Sequence, residues 1–289
     1  MDIIKIRLTS PVRKSDWPKP GESFAFTRTD LLVLVAILGI LALSALPALG
    51  SAKVNSRQMF CLSNLRQLGI ASRMYVVEYR QYTGDYSPLN QAYVWPKRLF
   101  DYTVGGRKVF SCPAAIPSAR WDTNLNTTLG SFARSFDPYG VTSTTRFSYG
   151  LNDWGLSISV SPQLGLGGDI DGGFYRGPVR DSDVVAPAQM IMLADVPAFA
   201  NRALINFGAN LDPTSSGNPI SCQWPSNRHH YLIDMLFTDG HTETPTRLEA
   251  ISPVANNPWR NRWNNDNRSH NEVTWSLNSV GASTLDPSY

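Results

Sequence analysis

Three histidines and two carboxylates crowd one short stretch of this sequence: His229, His230, Asp234, Asp239 and His241. Imidazole with carboxylate suits a divalent transition metal such as zinc or nickel. The spacing shows neither His-x3-His nor a paired-cysteine signature of a zinc site. The competing expectation is that Asp239 shapes a turn and the histidines hydrogen-bond loop carbonyls. A second acidic stretch, Asp169-Ile-Asp171-Gly-Gly173, alternates carboxylates and ends in glycines, as calcium loops do. It lacks the later bidentate Glu of an EF-hand. The chain has three cysteines, Cys61, Cys112 and Cys222, so at least one is left over or pairs between chains. Cys61 with Cys112 is the preferred disulfide, although spacing alone leaves the connectivity open. No Gly-x-Ser-x-Gly, P-loop, dinucleotide fingerprint or His-Glu-x-x-His is present, so no catalytic role is expected. Trp121, Trp154, Trp224, Trp259, Trp263 and Trp275 could stack on sugars or fill a core.

The elements that must position these residues begin with Leu31 to Leu49, a run without charge. At about 1.5 Å rise per residue it approaches the roughly 30 Å hydrocarbon core of a bilayer. Lys5, Arg7, Arg13, Lys14 and Lys19 upstream outnumber Asp2, Asp16 and Glu22, which predicts a cytoplasmic N-terminus. Asp30 sits at the mouth of the run, where a carboxylate in lipid is costly unless paired. Gly39 and Pro47 interrupt it, and both weaken a helix. From residue 50 to 83 the helix is expected to continue as an amphipathic rod. The positions of its stripe, Leu62, Leu65, Leu68 or Gly69, Ser72, Tyr75 or Val76, and Tyr79, recur at three- and four-residue steps, and Gly84-Asp85 ends it. Short helix at Trp95–Tyr102 and strands at Lys108–Ser111, Arg146–Leu151 and Gln189–Ala194 follow. The stretch Tyr231 to Thr244 alternates apolar residues up to Asp239-Gly240, a dipeptide favoured in two-residue hairpin turns because both positions need positive φ. The tail from Trp259 should wrap back over the head.

The pattern Phe26-Thr-Arg-Thr-Asp30, with Gly39 and Pro47 beyond, resembles the type IV prepilin and type II secretion pseudopilin family. There a basic leader ends before a Phe, and a carboxylate, a Gly and a Pro follow at this spacing. The family prefers Gly where Ala25 stands and Glu where Asp30 stands. Asn64-Leu-Arg-Gln-Leu-Gly69 and His229-x9-Asp239-Gly240 resemble a large pseudopilin-like branch of that family. The resemblance implies cleavage between Ala25 and Phe26 and methylation of the new amine by a prepilin peptidase. It also implies assembly through Asp30, Gly39 and Pro47 with copies of itself or sibling subunits, in contact with secretion machinery. A head-loop calcium, as in some secretion pseudopilins, is the one cofactor it suggests. A cleaved secretory signal or plain anchor is the competing reading, with Ala45, Ala48 and Ser51 offering a small-residue site.

Net charge is +3, most of it in residues 1–25, so the remainder is nearly neutral and carries no nucleic-acid footprint. Charged residues make up only 17%, against abundant Gly, Pro and Trp, which suits a loop-rich, β-containing domain. The expected fold is therefore α+β: a long N-terminal transmembrane and amphipathic helix, pilin-like, packed on a loop-rich antiparallel β-sheet head. Residues 1–25 would be a leader, 26–49 a membrane and assembly helix, 50–83 its amphipathic continuation and 84–289 the exported head. The location follows as a single pass of the bacterial inner membrane, with the head periplasmic. The alternative is a membrane-anchored carbohydrate- or surface-binding protein, and a tethered hydrolase comes third.

Overall fold

The computed structural model describes residues 26–88, 92–117, 121, 147–153, 155, 164–171, 177–197, 209–215 and 223–286. The leader, Ala25, Trp154 and Cys222 lie outside the described residues. The chain divides into two compact units, Met1–Gly50 and Ser51–Tyr289.

In the first unit the described residues open helix α1, whose bounds are Arg28–Tyr79. Its first turn is closed by reciprocal hydrogen bonds. The Thr27 amide and hydroxyl donate to Asp30 Oδ2 at 2.9 and 2.7 Å, and the Asp30 amide donates to Thr27 Oγ at 3.2 Å. This is a capping box with Asp30 at the third position, satisfying amides that a helix start leaves unpaired. The apolar side chains that follow, Leu31 to Leu43, are all exposed. Among the described residues no helix is long and apolar enough to cross a membrane. This overturns the transmembrane part of the expected fold, and the inner-membrane, single-pass location falls with it. Helical backbone runs through Gly39 and position 47.

In the second unit Cys61, Leu65, Leu68, Ala71, Ser72, Tyr75 and Val76 form the buried stripe of α1. Tyr79, expected on it, is half exposed, and the helix ends there rather than at Gly84 because Arg80 turns left-handed (φ 58°). The stripe packs on an antiparallel sheet ordered β3-β4-β5-β6: Tyr149–Leu151, Ile191–Asp195, Met235–Phe237 and Thr242–Glu243. A two-stranded pair, β1 (Tyr86–Ser87) and β2 (Ala92–Tyr93), lies outside it. Helix α2 covers Trp95–Phe100. Of Lys108–Ser111, expected as a strand, Lys108–Phe110 instead belong to a 3₁₀ turn over Gly106–Phe110 and Ser111 caps its end. Its apolar residues Val109 and Phe110 are buried, and short apolar runs do not separate strand from helix by periodicity.

Both faces of the sheet are covered, which is why Ile191–Asp195 shows no polar alternation and is buried throughout. Leu151, Leu193 and Leu236 join the α1 stripe in one core. Ile191, Ala194, Met235 and Phe237 join Trp224, Trp263, Trp275 and Leu277 in another. The tail thus forms the second covering layer. A register shift between Ile191 and Leu193 changes which side chains face which core. The tail has little regular structure beyond α3 (Arg247–Ala250), α4 (Ser279–Ser283) and a 3₁₀ turn at Arg260–Trp263. Buried Arg260 organises it, donating to the carbonyls of Ser269, His270 and Val273 while its guanidinium lies 4.4 Å from the Trp275 ring.

The β5–β6 turn differs from the expected two-residue form. The Gly240 amide donates to the Phe237 carbonyl (2.9 Å) and the Phe237 amide to the His241 carbonyl (3.0 Å). Only Gly240 has positive φ, 97°. Thr238, Asp239 and Gly240 therefore make a three-residue loop ending in a left-handed glycine. Asp239 spends its carboxylate on the His241 amide (3.0 Å) instead of adopting positive φ.

Candidate functional site

The side chains with chemistry converge where the Cys61 turn of α1 meets the edge of β4 and β5. Cys61 and Cys112 form a disulfide across 51 positions of sequence. The Cys112 amide donates to Ser148 Oγ at 2.6 Å, which ties the loop after the 3₁₀ turn to the start of β3. Beside the sulfurs stands His229, its Nε2 3.3 Å from Cys112 Sγ. The same nitrogen lies 3.4 Å from Asp195 Oδ2 and 3.4 Å from Asp234 Oδ2. Asp195 ends β4 and Asp234 precedes β5, so the antiparallel pairing brings the two carboxylates together. Arg228 Nε approaches Asp195 Oδ1 at 3.8 Å and donates to Ser226 Oγ, and its other arm donates to the Val196 carbonyl. From α1, Gln58 Nε2 donates to Asp234 Oδ1 at 3.0 Å.

All of these charged side chains are sealed from solvent. Burial lowers the His229 pKa, but the Asp195 and Asp234 carboxylates outweigh it and leave it raised. Burial, reinforced by Asp195, pushes Asp234 up to about 7. Histidine between two carboxylates is the arrangement of a general base. Here the ring is 1% exposed.

The expected metal set is not assembled. His230 is exposed, with φ 53°. His241 stacks on Phe237 at 4.3 Å and pairs with Asp239 and Glu243. Asp171 accepts from Ser87 Oγ at 2.5 Å. Asp169 is buried near Asp85, whose carboxyl is pushed well up by burial and then by Asp169. Among the described residues, one group of metal-ligating side chains converges, and it is Cys61, Cys112, Asp195 and His229. Sequence reasoning named three of these four for separate reasons and missed Asp195 altogether. The only local signal for Asp195 is a carboxylate closing an apolar strand.

The tryptophans are mainly structural. Trp121, Trp224, Trp263 and Trp275 are buried, and Arg262 covers the ring of Trp259 at 4.2 Å. A shallow apolar groove of about 620 Å³ runs along Ile70, Met74 and Val77 of α1, bordered by Tyr102 and Gly240.

No protein-family model matches the chain, and no solved structure does. A stretch of 65 residues is 37% identical to the potassium-transporting ATPase potassium-binding subunit of Microcystis aeruginosa (strain NIES-843 / IAM M-2473). That stretch is 22% of this chain and 11% of that protein, so the chain spans only about a tenth of its curated relative. The likeness carries neither a fold nor an activity to this protein.

Proposed function

We propose that this chain is a pilin-like structural subunit that assembles through its N-terminal helix after loss of residues 1–25. It would work in a type II secretion pseudopilus or related type IV filament, with copies of itself or sibling subunits as neighbours. A prepilin peptidase would cut between Ala25 and Phe26. One observation carries the reading: the first described turns of α1 expose Leu32, Ile40 and Leu43 at 67–69%, and among the described residues every large apolar side chain from Leu31 to Leu43 is exposed. A helix apolar on every side needs burial against something. Packing against like helices supplies it, and each large side chain so covered contributes about 1.5–3 kcal/mol. The motif resemblance at Phe26, Asp30 and His229-x9-Asp239-Gly240 adds support.

Asp30 suits the same role. Thr27 holds its carboxyl below the usual carboxylate range, through side-chain and then backbone hydrogen bonds. It therefore stays ionised and able to meet a neighbouring amine. The glycan-binding alternative is not favoured, since most of the named tryptophans present no open face.

The test compares wild type with Leu34→Asp/Ile37→Asp in the native host. The reading expects loss of cross-linkable multimers with the Cys61–Cys112 bond and head circular dichroism retained. Wild-type multimers in the variant would overturn it. Intact mass of the mature chain provides the second arm: a start at Phe26 is expected, and a mature chain still beginning at Met1 argues against processing.

A further inference from the structure

The disulfide beside His229 has a second chemistry available to it. Cys61 Sγ, Cys112 Sγ, a carboxylate oxygen of Asp195 and a ring nitrogen of His229 all lie within 4.8 Å of one another. We propose that, when the disulfide is reduced, these four side chains bind one zinc ion as a closed Cys₂-His-Asp site. The idea is independent of the filament reading and concerns the folded second unit alone.

Geometry is the first support. Zinc takes thiolate at about 2.3 Å and imidazole or carboxylate at about 2.0–2.2 Å, so the edges of its tetrahedron run about 3.3–3.8 Å. His229 Nε2 already stands 3.3 Å from Cys112 Sγ and 3.4 Å from Asp195 Oδ2. Two edges of the shell are thus in place before any metal arrives. Reduction lengthens the sulfur–sulfur separation towards a third.

Charge is the second support. Two thiolates and one carboxylate around a dication leave a single negative charge. The buried Arg228 guanidinium, 3.8 Å from Asp195 Oδ1, neutralises it. That oxygen accepts no hydrogen bond within the described structure although Asp195 is fully buried. The surroundings orient the ligands as a closed site requires: the Cys112 amide is fixed by Ser148, and the Tyr149 hydroxyl reaches the Cys61 carbonyl at 3.5 Å.

The chemistry balances with a dithiol reductant. One reductant thiolate attacks a protein sulfur, the S–S bond breaks, and the reductant leaves as its own disulfide. Two electrons and two protons pass to Cys61 and Cys112. Zinc then displaces both thiol protons to solvent, and His229 binds as neutral imidazole. Since both sulfurs are buried, the exchange occurs as the chain folds or opens locally. In either state α1 is tied to the loop at Cys112, by a covalent bond or by a metal.

The test uses the full chain purified with a phosphine reductant and titrated with Co(II), then Zn(II). The proposal expects one cobalt per chain, thiolate-to-cobalt charge transfer with intense tetrahedral d–d bands, and displacement by zinc. The air-oxidised chain should show none of these. Asp195→Asn and His229→Ala should each weaken cobalt binding at least tenfold, and Cys61→Ser/Cys112→Ser should abolish the charge-transfer bands. If the reduced chain loses its fold without metal, zinc should restore its circular dichroism, and failure to do so would overturn the site. A folded reduced chain binding less than stoichiometric cobalt would also overturn it. So would binding that Asp195→Asn and His229→Ala leave unchanged, which marks an adventitious dithiol site.

Discussion

His229 is the residue on which the folded unit turns, because it touches a disulfide and two carboxylates at once. Its neighbour Asp234 makes the consequence measurable. The folded chain keeps a proton on Asp234 up to about pH 7, while the unfolded carboxyl loses it near the ordinary 3.8. Between those values the folded state binds more protons, so stability falls as pH rises. The raised pKa of His229 acts in the same direction, its contribution being lost as pH climbs through the folded value. Thermal unfolding should therefore begin at a higher temperature near about pH 5 than near about pH 8. Asp234→Asn should flatten that slope while keeping the acceptor for Gln58, and an unaltered slope in the variant would remove Asp234 as its source.

At the scale of elements, two joints set the geometry. The first is the Cys61–Cys112 bond, which closes a long loop of 51 positions and fastens α1 to the head. Replacing both cysteines by serine is expected to cost about 2–5 kcal/mol in denaturant unfolding under oxidising conditions. A loss below about 1 kcal/mol would show that α1 is held by its apolar stripe alone. The second joint is the β5–β6 loop, where Gly240 holds φ 97° with open space about its missing Cβ. Gly240→Ala therefore meets backbone strain and no clash, with an expected loss on the order of 1–3 kcal/mol. The same hairpin approaches α1 at Gly69, where an added Cβ would come within 3.0 Å of Leu236.

For the whole molecule the decisive contrast lies between a covered and an uncovered helix. From Cys61 to Val76 the stripe of α1 is buried, whereas the described side chains of Leu31–Leu43 are exposed. If assembly covers them, Asp30→Ala should reduce multimer yield severalfold in the native host without changing the folding of residues 51–289. Multimers at wild-type level would show that the carboxylate serves only the capping box with Thr27.

Much of this was legible in the sequence where the signal is local. The three- and four-residue spacing of Leu65, Leu68, Ser72 and Val76 marks the buried side of a helix, since one turn repeats every 3.6 residues. Asp239-Gly240 likewise announces a hairpin, although its loop length depended on how Asp239 used its carboxylate. The Thr27-to-Asp30 capping box was equally local but was overshadowed by the apolar run after it. What only the tertiary structure decided is which distant residues meet. Asp195, His229 and Asp234 come together with two cysteines through strand pairing and chain closure across loops, and no local periodicity records such contacts. The burial of the tryptophans was decided there too, because cover is a property of neighbours in space and not of neighbours in sequence.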